Sequence, residues 1–247
     1  MAASVQWIDR GDGVRLAAVL TPGAGPLVLF LPGYMSDMGG TKALHLEAWA
    51  ERLGRAFLRF DYSGCGQSEG RFEDGTIRRW AADAEALLAR AAPAGELVLV
   101  GSSMGGWIML HLALALGARV KGLVGVAAAP DFVRWGLDLT GDDRRSLARD
   151  GAILRPSPYS EAPYRYTAAF VADAEAACLL DARIPITAPV RLLAGSCDQA
   201  VPPAIALRLA DALESRDVLT LVVKGGDHRL SAPADLRLLE EMVRCVS

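Results

Sequence analysis

The sequence predicts an α/β protein: a mostly parallel sheet of eight strands, helices on both faces and a helical insertion. Three observations carry this. Short apolar runs alternate with segments of helical rhythm from residue 27 onward, the pattern of a sheet built by crossover connections. Apolar residues make up 52% of the 247 residues and charged residues 22%, enough for a sizeable core and too apolar for a disordered chain. One stretch, residues 130–189, breaks the alternation.

Residues 5–8 and 14–20 read as strands joined by a turn-rich Asp-Arg-Gly-Asp-Gly linker, which predicts an edge hairpin. Residues 27–31 are continuously apolar, as a strand buried on both faces requires. Residues 41–54 set Ala43, Leu44, Ala48 and Trp49 in a roughly helical rhythm. A strand follows at 56–60. Residues 77–92 are Ala-rich with spaced charges and predict a helix ended by Pro93. Residues 97–101 predict a strand and 104–116 a helix. Further strands are expected at 123–126, 190–194 and 218–223, with a helix at 203–213. Residues 97–117 are nearly uncharged and about long enough to span a bilayer. Their glycines and serines, and flanks without basic anchors, favour a buried strand, a tight turn and a buried helix instead.

Lys plus Arg number 26 and Asp plus Glu 29, a net charge of −3 that offers no basic footprint for nucleic acid. Cys65, Cys178, Cys197 and Cys245 form no CxxC pair, and there are three histidines. That argues against a structural zinc site and a disulfide framework, and for reduced thiols in a cytoplasmic setting. The first residues, MAASVQWIDRGDG, show neither an apolar signal core nor an Arg-rich presequence, so a cytoplasmic protein without a stable membrane span is expected.

Residues 130–189 contain the polar run GDDRRSLARDG, the Pro- and Tyr-rich run RPSPYSEAPYRY and no convincing strand. They also hold Phe132, Trp135, Tyr159, Tyr164, Tyr166 and Phe170, six of the chain's sixteen aromatics. A loop this long inside a compact domain is usually functional. We therefore expect a helical lid lining an apolar pocket, inserted into a core of residues 1–129 and 190–247. The alternative is a surface excursion with a small satellite core.

Gly101-Ser102-Ser103-Met104-Gly105 fits G-x-S-x-G between a buried strand and a helix, the context that motif requires. A serine at such a sharp turn is strained, needs neighbours without side chains, and exposes Oγ at the carboxyl end of the sheet. Ser103 is thus the candidate nucleophile, with Ser102 one place short of the motif centre. His228, in Lys-Gly-Gly-Asp-His-Arg after the strand 218–223, opens at the same sheet edge and is the candidate base. His45 and His111 lie within helices and read as packing or surface residues. Asp198, after the strand 190–194, completes the order Ser, Asp, His and would orient the imidazole. Asp227 is poorly placed to face its neighbour's ring, and Asp131 is the fallback acid. The N–H groups of Met104 and Tyr34, the latter in Leu31-Pro32-Gly33-Tyr34, are the expected oxyanion donors. Asp61, in Asp-Tyr-Ser-Gly-Cys-Gly-Gln-Ser, reads as a residue holding a Gly-rich turn, and nothing marks Cys65 as a nucleophile. No P-loop motif is present, and neither a cofactor nor a metal is expected.

Together these residues resemble the α/β-hydrolase superfamily. LPGYMSDMGGTKA, RFDYSGCGQSEG, VGSSMGGWIMLHLALA, IPITAPVRLLAGSCDQAVP and KGGDHR are similar to its mitochondrial palmitoyl-protein thioesterase branch, also described as acyl-glucuronide esterases. The resemblance covers nearly the whole chain from about residue 27. It implies removal of S-linked fatty acyl groups from proteins, or cleavage of acyl-glucuronide esters, by Ser103, Asp198 and His228. A bacterial, cytoplasmic relative is expected, since the Ala- and Arg-rich sequence starts close to the first strand without a presequence. The substrate expected is a small acyl ester or thioester or an S-acylated protein. The rival readings are a short-chain carboxylesterase and a non-catalytic receptor that senses ligands through the same pocket.

Overall fold

The computed structural model describes residues 4–92, 94–157 and 161–247. The chain starts with a hairpin, β1 (Gln6–Asp9) and β2 (Arg15–Thr21), paired antiparallel. There follow β3 (Ala24–Leu31), α1 (Thr41–Leu53), β4 (Arg55–Phe60), α2 (Ile77–Ala91), β5 (Leu97–Ser102), α3 (Met104–Leu116) and β6 (Val120–Val126). The insertion carries α4 (Phe132–Trp135), α5 (Gly141–Asp150), β7 (Ala152–Arg155), β8 (Tyr164–Thr167) and α6 (Ala168–Ala176). The chain then returns through β9 (Val190–Gly195), α7 (Pro203–Ala212), β10 (Val218–Val223) and α8 (Pro233–Arg244).

Among the described residues the main sheet has eight strands in the order β1-β2-β4-β3-β5-β6-β9-β10. From β4 to β10 every neighbouring pair is parallel, and β2 joins β4 antiparallel. Because side chains alternate along a strand, each central strand feeds two cores. In β3, Leu27, Leu29 and Leu31 face one core while Val28 and Phe30 face the other; in β5, Leu97 and Leu99 oppose Val98 and Val100. The first core is closed by Trp80 and Leu87 of α2, Trp107 of α3 and Leu209 of α7. The second is closed by Leu46 and Trp49 of α1 and Leu239 and Val243 of α8. Burial on both faces is why these strands read as unbroken apolar runs. Their parallel direction gathers their carboxyl ends, and the loops that follow them, along one edge.

The expected elements form, most within a residue or two of their expected bounds. Residues 97–117 are a strand, a turn and a helix, and among the described residues no helix is long and apolar enough to cross a membrane. Pro93 and Tyr159 lie outside the described residues.

Two elements differ from expectation. The insertion, expected to hold helices and no strand, contains the antiparallel ribbon β7–β8, in which Ile153 pairs with Tyr166 and both side chains are buried. Each strand is only four residues long and follows or precedes Pro-rich sequence, so no periodicity marks it. α8 is absent from the expected elements. Pro233 at its start and buried Leu236, Leu239, Met242 and Val243 are the signals that identify it.

Candidate active site

The turn from β5 into α3 puts Ser103 at φ 55°, ψ −122°, outside the conformations a side-chain-bearing residue prefers. Its backbone is pinned on both sides. The Ser103 N–H donates to Val126 O at 2.9 Å, and its carbonyl accepts from Gly106 and Ala129 N–H at 2.9 and 3.0 Å. The flanking glycines are required by contact: a Cβ on Gly101 would lie 2.4 Å from Gly105 O, and one on Gly105 would lie 2.0 Å from Leu31 O. Ser102 ends β5 and is buried.

The loops after β9 and β10 meet Ser103 from the other side. Cys197 N–H donates to Gly226 O at 2.9 Å, Ser196 N–H to Val223 O at 2.9 Å, and Gly225 N–H to Ser196 Oγ at 2.8 Å. Gly195 packs so closely on the second loop that a Cβ there would meet Gly226 O at 2.4 Å. Held together in this way, the loops bring His228 Nδ1 to 2.8 Å from Asp198 Oδ2 and His228 Nε2 to 3.1 Å from Ser103 Oγ. The other Asp198 oxygen accepts the Ala200 and Val201 N–H groups, both at 2.8 Å. Burial pushes the Asp198 carboxyl pKa up, but its hydrogen bonds to His228, Val201 and Ala200 outweigh that and leave it below the usual 3.8.

The loop after β3 passes at contact distance from Ser103, a Cβ on Gly33 falling 3.4 Å from Ser103 Cβ. Met104 is the first residue of α3, where an N–H has no acceptor within the helix. Tyr34 and Met104 both line the cleft above Ser103. The Tyr34 ring stacks on Tyr166 (centroids 4.9 Å apart) and its hydroxyl donates to Arg165 O, which ties this loop to the insertion.

The cleft measures about 780 Å³. Tyr34, Phe132, Trp135, Tyr164 and Tyr166 line it together with the more polar Ser36, Lys42 and Ser231. Tyr166 and Phe170 are buried in one aromatic cluster with Trp80 and Phe132.

The remaining candidates are occupied elsewhere. Asp131 accepts the N–H groups of Leu179 (2.9 Å) and Leu180 (2.7 Å), closing the insertion on itself, and burial raises its pKa. Asp227 accepts Leu230 N–H. His45 Nε2 lies 2.7 Å from Glu240 in α8, and His111 Nε2 lies 2.9 Å from Ala177 O. Asp61 holds its turn by accepting Met38 and Gln67 N–H. Cys65 is buried behind the cleft with its thiol pushed up to about 12 by that burial. Among the described residues no group of three or more His, Cys, Asp or Glu could hold a metal ion. Lys42, on the cleft wall, donates from Nζ to Arg229 O, 187 positions away, a contact that is not visible in the sequence.

Comparison with known proteins places the fold in a family. The model of the alpha/beta hydrolase family matches residues 28–239. The mouse protein named "Palmitoyl-protein thioesterase ABHD10, mitochondrial" is 40% identical over 239 residues, covering 96% of this chain and 80% of its own; the human protein of that name is 40% identical over 238 residues, 96% and 78%. The solved structure of alpha/beta hydrolase domain-containing protein 10 from mouse aligns with a TM-score of 0.91 at 39% identity, covering 99% of this chain and all of that one. A crystallised protein of Agrobacterium vitis S4 aligns with a TM-score of 0.92, also at 39% identity, covering 99% and 98%. The chain belongs to the alpha/beta hydrolase family.

Proposed function

We propose that the protein is a serine hydrolase of acyl esters and thioesters, working through an acyl-enzyme on Ser103. The observation that carries this reading is the unbroken contact from Ser103 Oγ to His228 Nε2 (3.1 Å) and from His228 Nδ1 to Asp198 Oδ2 (2.8 Å). Ser103 Oγ attacks the acyl carbonyl carbon while its proton passes to His228 Nε2. The carbonyl oxygen takes up the negative charge and is met by the N–H groups of Tyr34 and Met104. Collapse breaks the C–S or C–O bond, and the leaving group takes the proton from His228. Water then attacks the acyl-enzyme, gives a proton to His228, and collapse releases the acid and returns the proton to Ser103. Asp198 holds the ring and stabilises the imidazolium in both halves. No step needs a cofactor.

Residues 130–189 act in this proposal as the lid that selects the acyl group. The aromatic wall made by Phe132, Trp135, Tyr164 and Tyr166 supports an apolar acyl chain, and the thioesterase names of the relatives support a thioester as the bond cleaved. Cytoplasmic residence belongs to the proposal as well; the relatives' names assign mitochondria to those proteins.

The test is hydrolysis of acyl thioesters from C2 to C16 beside matched oxygen esters, with Ser103→Ala as control. We expect rates that rise toward long thioesters and vanish in the variant. Activity confined to short oxygen esters would make the protein a carboxylesterase with the same nucleophile. Substantial activity in folded Ser103→Ala would remove Ser103 from the mechanism. A folded wild type that neither turns over nor is labelled at Ser103 by a fluorophosphonate would indicate a receptor.

A further inference from the structure

His228 sits on a loop whose two sides are anchored by different parts of the molecule. Before it, the backbone is tied to the Asp198 loop through Gly226 O and Gly225 N–H. After it, the Leu230 side chain is fully buried in the core under α1 and α8, at φ 43°. Between His228 and Leu230 lies the Arg229 carbonyl, and it accepts a 2.6 Å hydrogen bond from Lys42 Nζ. Lys42 is the second residue of α1, the helix that follows the Tyr34 loop, and it is half-buried on the wall of the cleft. Burial lowers its pKa to about 8, while Asp227 and Asp235 favour its charge and Arg229 opposes it. A lysine stem buried beside a catalytic cleft and ending on one backbone carbonyl is costly to order. That bond falls on the residue next to the candidate base.

We propose that Lys42 is a positioning residue: by holding the Arg229 carbonyl, it keeps the His228 imidazole within hydrogen-bonding distance of Ser103. The inference rests on the reading of His228 as the base. An ammonium-to-carbonyl bond is charge-assisted and roughly twice as strong as a neutral one. Without it the peptide after His228 can swing toward water. A shift of about 1 Å in a catalytic group costs on the order of 10²-fold in rate.

The experiment compares wild type with Lys42→Met, which keeps the stem and removes the donor, and with Lys42→Arg, which restores a donor. Two ester substrates are used, one with a neutral and one with an anionic leaving group. We expect Lys42→Met to lower kcat about 10- to 100-fold on both substrates, with KM within about threefold. Fluorophosphonate labelling of Ser103 should slow by a similar factor, because that reaction also needs the base. Lys42→Arg should recover most of the loss. If Lys42→Met fails to fold, the shorter Lys42→Gln, whose amide cannot reach as far, takes its place with the same expectation. A rise in KM confined to the anionic substrate would make Lys42 a substrate contact and overturn the proposal, as would unchanged kcat and labelling. Retained activity in Ser103→Ala, run alongside, would instead locate the failure in the underlying assignment of nucleophile and base.

Discussion

Replacing Gly105 with alanine separates close packing from helix propensity, because the two predict opposite signs. Gly105 is the second residue of α3. Inside a helix, alanine is ordinarily better than glycine by about 1 kcal/mol. Here the added Cβ would lie 2.0 Å from Leu31 O and 2.6 Å from Pro32 O, about 1.4 and 0.8 Å short of the 3.4 Å of an ordinary contact. Both neighbours are backbone at the end of β3, so no side chain can rotate away. α3 must move back by about an ångström, and Ser103, which immediately precedes it, must move too. Overpacking of this kind costs about 1–3 kcal/mol of stability. A shift of about 1 Å at the nucleophile costs on the order of 10²-fold in kcat/KM, or about 2.7 kcal/mol of transition-state stabilisation. The assays are urea unfolding and steady-state hydrolysis of a single ester. Gly141→Ala in α5 is the control, since its Cβ would meet nothing nearer than Arg145 Nη1 at 3.5 Å. A Gly105→Ala protein with stability at or above wild type and kcat/KM within threefold would refute the packing argument.

Four further outcomes are expected. Asp198→Asn should lower kcat by on the order of 10⁴-fold, the cost of losing the carboxylate that orients a catalytic histidine. The folded Asp198 carboxyl lies below its unfolded value of 3.8, so it contributes stability above that pH and loses it as pH falls through the lower folded value. The stability gap between wild type and Asp198→Asn in urea should therefore be full at pH 7 and shrink at pH 3; a gap independent of pH would contradict the assignment. Burial pushes the Cys65 and Cys178 thiols up to about 12 and about 11, whereas Cys197 and Cys245 are exposed. Ellman's reagent at pH 8 should find two fast thiols in the native protein and four after unfolding, and three fast thiols would be inconsistent with the packing. Asp83 is fully buried, with Arg10 Nη1 at 2.6 Å and Ser63 N–H at 2.8 Å. Asp83→Ala should destabilise by about 3 kcal/mol, and Arg10→Met in the same chain should recover part of it; additive losses in urea unfolding would sink the coupling.

How much could be read from the sequence differs between elements for physical reasons. The central strands were legible because burial on both faces leaves no polar position in Leu27–Leu31 or Leu97–Val100. The β5–α3 turn was legible because Gly101 and Gly105 are excluded from bearing a Cβ by backbone a few ångströms away, and such contacts write themselves into residue choice. The ribbon β7–β8 was not, because four residues with one buried position each carry too little pattern. Asp131 had the residue type and strand position of an orienting acid, and only the packing of the insertion turned it toward Leu179 and Leu180.

By itself, then, the sequence determined the alternation of strand and helix and the family, and singled out Ser103, Asp198 and His228 as candidates with Asp131 in reserve, since these depend on local pattern and on motifs a few residues long. Tertiary structure alone decided which carboxylate meets His228, how the insertion closes on Tyr34, and that Lys42 and Arg10 reach Arg229 and Asp83. Those contacts join residues 30 to 187 positions apart in the chain. They depend on where elements far apart in the chain come to rest against one another, and no local pattern of side chains encodes that distance.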